Sequence, residues 1–336
     1  MLRKEEVRKI TAGIKDCKIG IIGDFCVDIY WHADMTLSEL SRETPHYPLP
    51  VTQEKTSMGA GGNVAANLAA LCPEKIYAVS LIGDDWRGML LCDLIRKSGI
   101  SDEYIIKTDG RFTNAYCKPM RHGISATVYE DPRLDFENRC PISEETENKV
   151  IENLRGLAKK VNVLCVADQF RYGIVTDKVR EEIIALAKNG LTVICDSRYN
   201  IGKYTDCILK PNEVEAWRAV YSDDGFIKAS EEEFIEAAKA LAVKNNARVF
   251  CTLGAKGSFV TDGKDGIRVG AKTLTGELDI CGAGDTSLSA FSLAVTAGAP
   301  LEKAAAFAGL ASAVTVKKIG MTGTATAEEI ENIAEG

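Results

Sequence analysis

Apolar residues along this chain fall into two alternating rhythms. Short, nearly unbroken apolar runs at Lys18–Gly23, Ile76–Ile82, Val161–Ala167, Leu191–Cys195 and Arg248–Thr252 have the length and β-branched content of buried strands. Between them, apolar positions recur at helical spacing over about 63–72, 87–98, 144–159, 176–189 and 231–245. Two further helical segments, about 286–298 and 301–317, close the chain. Strand and helix in succession predict right-handed βαβ units, hence an α/β fold with a mostly parallel sheet and helices on both faces.

Residues 25–57 and 111–137 interrupt this rhythm, being rich in Thr, Tyr, Val and polar residues without helical periodicity. Their pattern suits a small β-sheet standing off the main body as a lid, with Arg121-His122-Gly123 as a turn between two of its strands. No internal repeat, low-complexity tract or long linker divides the chain. Residues 1–336 are therefore expected to form one domain carrying this appendage.

A hydrophobic content of 46% and a charged content of 26% describe an ordinary globular chain with ample material for a core. The net charge of −7 argues against nucleic acid or an anionic membrane surface as the main partner. A phosphate-bearing ligand must then be held by local groups acting against that mean field. None of the eleven cysteines sits in a Cys-x-x-Cys pair, and Cys165, Cys195 and Cys251 lie inside predicted strands as small buried hydrophobes. Neither a disulfide framework nor a zinc site is indicated, and a reducing cytoplasm is the expected setting. The charged start, Met-Leu-Arg-Lys-Glu-Glu, lacks a signal-peptide apolar core, and no apolar run approaches a membrane span.

The most informative segment is Asp279-Ile-Cys-Gly-Ala-Gly-Asp285, which runs directly into a helical pattern (Leu288, Phe291, Val295). Small residues at a helix start leave unpaired N–H groups carrying partial positive charge, a ready anion site formed by Gly282, Ala283 and Gly284. A carboxylate at the mouth of such a site repels the anion unless it serves to take the proton of a hydroxyl that attacks it. That is phosphoryl transfer with Asp285 as base; the plainer reading is a glycine-rich turn capped by Asp285. Asp24 and Asp28 follow the first predicted strand, where ligands of open α/β sheets bind, and their carboxylates suit the hydroxyls of a polyol. Gly59-Ala-Gly61-Gly62-Asn63 opens an amphipathic helix, but Val64 stands where a dinucleotide fingerprint would need glycine. No Gly-x-x-x-x-Gly-Lys-[Ser/Thr] occurs, so phosphates are not held by a P-loop. His32, His46 and His122 stand at no metal-ligand spacing and read as surface residues.

Taken together, these segments resemble the ribokinase/PfkB family of sugar kinases. Asp-x-x-Gly-Ala-Gly-Asp matches the family's second signature, with Cys281 where the family usually has threonine. Gly59, Gly61, Gly62 and Asn63 match the first signature with one glycine displaced, and the resemblance implies that they meet the sugar. Lys210-Pro-Asn212-Glu213-Val-Glu215 contains the family's Asn-x-x-Glu, and the resemblance implies that Asn212 and Glu215 organise Mg²⁺ and phosphate, with water as the intermediary expected from the reluctance of Mg²⁺ to dehydrate. Thr252-Leu-Gly254-Ala-Lys-Gly257 matches the strand-Gly-x-x-Gly nucleotide segment, and Lys210 and Ser312 join it as implied nucleotide contacts. The implied architecture is a ribokinase-like three-layer α/β/α main domain with a small β lid, using ATP and Mg²⁺, with a homodimer through the lid among the expectations.

Within that family, Ser41-Arg42-Glu-Thr-Pro45 and Arg133-Leu-Asp135-Phe-Glu137 are similar to segments of the bacterial heptose-phosphate kinases, which phosphorylate an anomeric hydroxyl. The resemblance implies a sugar or sugar-phosphate acceptor, with Arg133 and Asp135 at its far end. His46, Arg198 and Gly309 depart from the related patterns. A nucleoside or other sugar kinase is the nearest alternative. A non-catalytic sugar sensor is disfavoured by the intact Asp285 and Asn-x-x-Glu, and a nucleotide-binding oxidoreductase by the missing fingerprint.

Overall fold

The computed structural model describes residues 2–123, 125–320 and 322–335; Met1, Ile124, Met321 and Gly336 lie outside the described residues. The chain begins with α1 (Lys4–Ile14) and β1 (Lys18–Gly23), then leaves the main body along β2 (Phe25–Asp34). It returns on β3 (Val51–Ala60) into α2 (Gly61–Ala70), followed by β4 (Lys75–Gly83), α3 (Trp86–Lys97) and β5 (Ser101–Thr108). A second excursion comprises β6 (Ala115–His122), β7 (Tyr129–Glu130) and β8 (Leu134–Phe136). Next come α4 (Glu144–Ala158), β9 (Val163–Asp168), α5 (Asp177–Lys188), β10 (Thr192–Ser197), β11 (Ile208–Leu209), α6 (Glu213–Tyr221) and α7 (Glu231–Lys244). The last part holds β12 (Arg248–Thr252), β13 (Ser258–Thr261), β14 (Gly266–Val269), α8 (Ala283–Thr296), α9 (Leu301–Thr315) and α10 (Ala327–Ile333).

Nine strands form the main sheet in the order β14-β13-β12-β11-β10-β9-β1-β4-β5. Neighbours are parallel from β12 through to β5, and β13 and β14 add an antiparallel edge. Because helices cover both faces, the central strands carry apolar residues at nearly every position; β9 is buried throughout. Alternation along β1 sends Ile19 and Ile21 into a core with α1, α2, α8 and α9, while Ile22 faces a second core with α4, α5 and α7. The fold is therefore the three-layer α/β/α arrangement with a separate small sheet.

Three contacts fix α8 against its neighbours. Phe291 stacks on Phe250 of β12 with ring centroids 4.2 Å apart, a pairing that adds about 0.5–1.5 kcal/mol beyond burial. Thr286 Oγ1 donates to Asn67 Oδ1 at 2.9 Å and Ser289 Oγ to the Val64 carbonyl at 2.9 Å, so α2 and α8 begin side by side.

The small sheet runs β3-β2-β6-β7, with β8 also paired to β6. Strand alternation divides its faces. Val27, Ile29 and Cys117 join the core, with Trp31 and Phe136 packed against it. Asp28, Tyr30, Tyr116 and Lys118 share the opposite face, where Asp28 pairs in register with Tyr116 and Tyr30 with Lys118. The expected turn at Arg121-His122-Gly123 is displaced: Arg121 and His122 belong to β6, and Arg121 pairs with Tyr129 of β7, so the reversal lies beyond them. Among the described residues no helix is long and apolar enough to cross a membrane.

Candidate active site between the small sheet and α8

Gly282 caps the start of α8 with a left-handed backbone (φ 78°) that is open to glycine and strained for other residues. A side chain there would also crowd Asn63 Nδ2, 2.9 Å from an added Cβ. Of the three amides expected to form the anion site, that of Ala283 already closes a turn onto the Ile280 carbonyl at 3.2 Å. The amides of Gly282 and Gly284 make no backbone hydrogen bond among the described residues. Asp279 braces this loop by accepting from the Cys281 and Gly320 amides, each at 3.0 Å.

Asp285 lies in the first turn of α8, and its Oδ2 accepts a 2.7 Å hydrogen bond from Asn63 Nδ2. Burial pushes its carboxyl up to about 6, against the Asn63 hydrogen bond and the Lys210 charge; Asp196 and Asp28 push the same way as burial. Lys210 is buried, its Nζ 2.6 Å from Asp196 Oδ2 and 4.0 Å from where a Cβ on Gly284 would stand. Burial alone would lower its pKa, but Asp196, Glu215 and Asp285 outweigh that and raise it, so a fixed cation sits at the mouth of α8.

The Asn-x-x-Glu element forms a reciprocal capping box on α6: the Glu215 amide donates to Asn212 Oδ1 at 2.8 Å, and the Asn212 amide to Glu215 Oε2 at 2.9 Å. Burial, then Asp196, raises the Glu215 carboxyl to about 7. Asn212 bridges to Thr252 at the end of β12, which brings the box beside the turn holding Gly254 and Gly257. Ser312 of α9 donates to the Ala283 carbonyl at 3.2 Å. No group of three or more His, Cys, Asp or Glu among the described residues converges as a metal cage. Glu215 Oε2 is taken by the cap, while Oε1 accepts no hydrogen bond among the described residues, and one free oxygen suits a cation carried chiefly by water and phosphate.

On the small-sheet side, Asp28 is buried, and a Cβ added at Gly59 would stand only 2.5 Å from its Oδ1. Burial raises the Asp28 carboxyl; Lys118 and Arg133 oppose the rise. Lys118, which sequence reasoning missed, is itself buried, with its Nζ 2.9 Å from Tyr30 Oη and 3.8 Å from Asp28 Oδ2. Arg133 makes a bidentate pair with Asp135 (2.5 and 2.7 Å) and lies over the Tyr116 ring at 4.3 Å. Arg42 is exposed in the stretch before β3.

Asp24 and Gly61 are placed differently from the sequence expectation. Asp24 Oδ2 accepts from the Gln169 and Phe170 amides at 3.0 and 2.8 Å, and Oδ1 from the Ile174 amide at 2.7 Å. Its carboxylate thus anchors the loop after β9, leaving Asp28 as the open carboxylate. Burial, then Asp168, raises the Asp24 pKa to about 7 despite those amides. The Gly61 amide is spent on the Asp24 carbonyl at 2.8 Å, and Gly62 packs against Met58.

The start of α8, with the Asp285 carboxyl and the Lys210 ammonium beside it, lies within reach of the Asp28 charge on the small sheet, an arrangement suited to a phosphotransferase with an alcohol acceptor. The profile of the pfkB family of carbohydrate kinases matches residues 25–328, and the chain belongs to that family. It is similar to the bifunctional protein HldE of Sulfurimonas denitrificans (28% identical over 317 residues, 94% of this chain and 63% of the relative). It is likewise similar to HldE of Aliarcobacter butzleri (31% over 325 residues, 94% and 64%). The chain thus spans less than two thirds of the length of these relatives. The fold matches Arabidopsis thaliana ribokinase complexed with ribose and ATP (TM-score 0.67, 20% identity, 96% of this chain and 99% of that one). It also matches Escherichia coli phosphofructokinase-2 in complex with fructose-6-phosphate (TM-score 0.72, 18% identity, 95% and 98%).

Proposed function

We propose that this chain transfers the γ-phosphoryl group of ATP to a hydroxyl of a sugar or sugar phosphate held between the small sheet and α8. One observation carries the reading: a carboxylate with its pKa raised to about 6, aligned by Asn63 in the first turn of α8, beside two uncommitted amides and the Lys210 ammonium. A base with a pKa near neutrality accepts a proton well without being protonated at rest.

In the proposed reaction the acceptor oxygen attacks the γ-phosphorus as its proton passes to Asp285, and the bond to the bridging oxygen breaks with its electron pair leaving on ADP. The Gly282 and Gly284 amides and Lys210 face the charge on the transferred group. Thr252, Gly254, Gly257 and Ser312 border the nucleotide side. Mg²⁺, carried through water by Glu215 and the Asn212 cap, would neutralise phosphate charge. Asp28 takes acceptor hydroxyls, and the small sheet acts as a lid that excludes water.

For the acceptor we propose a heptose phosphate phosphorylated at its anomeric hydroxyl, on the strength of the HldE similarity and the Arg133 segment. A homodimer through the lid belongs to the same reading, motivated by Leu37, Leu40, Tyr47 and Tyr129 standing exposed there. A cytoplasmic setting accords with eleven free cysteines. The test is ADP release over a panel of free sugars, sugar phosphates and nucleosides. Preference for a nucleoside or free sugar would replace the heptose-phosphate reading, and no acceptor-dependent ADP release would overturn the kinase reading.

A further inference from the structure

Lys118 and Asp28 form an unclosed pair. Both are buried, at 9% and 5% exposure, where charged side chains ordinarily stand in direct contact with a counter-charge. The other buried lysine pair of this molecule does so, with Lys210 Nζ 2.6 Å from Asp196 Oδ2. Between Lys118 Nζ and Asp28 Oδ2 the distance is 3.8 Å, beyond hydrogen-bond reach. Of the three ammonium donors, one is met by Tyr30 Oη at 2.9 Å. Asp28 Oδ2 accepts no hydrogen bond among the described residues, and Oδ1 has only the Cys26 thiol at 4.0 Å.

The pairing of β2 with β6 sets Asp28, Tyr30 and Lys118 on one face of the small sheet. The Asp28 charge acts on Asp285 and the Lys118 charge on Cys281, so the pair lies within electrostatic reach of the start of α8. One oxygen that both donates and accepts can sit within hydrogen-bond distance of both groups, giving its proton to Asp28 and accepting from Lys118. A water meets that demand before the acceptor binds, and an acceptor hydroxyl would take its place; a carbonyl can only accept, and an ammonium only donate. The Tyr30 hydrogen bond, with the ring 4.6 Å from the ammonium, holds Lys118 in place for this.

We propose that Lys118 is an acceptor-binding residue that, together with Asp28, reads one hydroxyl of the acceptor and so sets specificity. The inference rests on the proposed binding of the acceptor between the small sheet and α8, and adds a residue outside any recognised motif.

The test uses the best acceptor from the panel and its deoxy analogues with wild type, Lys118→Met and Lys118→Arg. Lys118→Met is expected to raise the acceptor KM by about tenfold or more while the ATP KM stays within about twofold, as expected when a charged hydrogen-bonding partner is lost from one ligand only. One deoxy analogue should lose a similar factor with wild type and lose little further with Lys118→Met. Lys118→Arg, which keeps the charge and donors, should recover part of the loss. An active wild type whose acceptor KM is unmoved by Lys118→Met, or whose ATP KM moves equally, overturns the proposal while leaving the kinase reading standing. Should Lys118→Met fail to fold, Lys118→Arg and the deoxy series on wild type decide alone: no deoxy analogue losing more than about twofold refutes the hydroxyl reading. A wild type inactive with every acceptor fails the kinase reading, and this proposal with it.

Discussion

Asn63→Ala isolates the group that aligns the base. Asn63 Nδ2 donates at 2.7 Å to Asp285 Oδ2 and so stabilises the ionised carboxylate. Burial has already lifted that carboxyl from 3.8 to about 6, and the Asn63 hydrogen bond acts against the rise. A hydrogen bond to a charged group contributes about 1.5–3 kcal/mol, and 1.36 kcal/mol corresponds to one pKa unit. Allowing for water entering the space left by the amide, the Asp285 pKa should climb by about 1 to a value near 7. Catalysis requires the ionised form, so the acid limb of the kcat/KM profile should move to higher pH by about the same amount. At pH 7 the ionised fraction falls from ~0.9 to ~0.5, and the loss should vanish above about pH 9. Coupled ADP assays from pH 5 to 9.5 measure this directly. An unmoved acid limb, or a loss equal at every pH, would refute the argument that Asn63 acts through the ionisation of Asp285.

Asp285→Asn should lower kcat by about 10²–10⁴ with ATP binding retained, and more than half of wild-type turnover would sink the assignment. The same change should stabilise the fold at pH 8: a carboxyl raised from 3.8 to about 6 gives full stability below pH 4, loses it as pH rises through 6, and costs on the order of 3 kcal/mol above, so a higher Tm than wild type at pH 8 but not at pH 4 is expected. For Asp28→Ala, calorimetry should show acceptor affinity weakened by about tenfold or more and ATP affinity nearly unchanged; equal losses would contradict the division of labour. Arg133→Ala should erase most of a preference for sugar phosphate over free sugar without changing free-sugar turnover; a preference that survives would contradict phosphate recognition and leave the Arg133–Asp135 pair a surface contact of ~0–1 kcal/mol.

Strands covered on both faces announce themselves: β1, β9, β10 and β12 were legible within about two residues because apolar residues fill their buried middles. Edge strand β5 was missed because only Tyr104 and Ile106 of Ser101–Thr108 are buried, too few to stand out from a loop. In α1 the spacing of Val7, Ile10 and Ile14 is helical, but it is hidden among charged neighbours. The residues of α8 were readable because local backbone geometry makes that site, and geometry of that kind leaves a glycine signature. Lys118 was not, because its partners on β2 are 88 or more residues away and depend on a strand pairing with no local sign. Asp24 failed for the same reason, its amide partners lying 145–150 residues further along. The Asn-x-x-Glu spacing carried two meanings at once, the i,i+3 reach of a capping box and a place beside the nucleotide segment, and sequence alone did not separate them.

Only Asp24 separates β1 from β2, and β3 passes into α2 with no residue between them. If the small sheet closes as the lid proposed above, its fulcrum lies among the residues that line the cleft. Ten residues of β2 at ~3.3 Å each give an arm of ~33 Å, so a turn of ~10° at the fulcrum carries the far tip by ~6 Å. A fluorophore at that tip would report occupancy of the cleft from a distance, turning the chain into a reagentless sensor for its own acceptor.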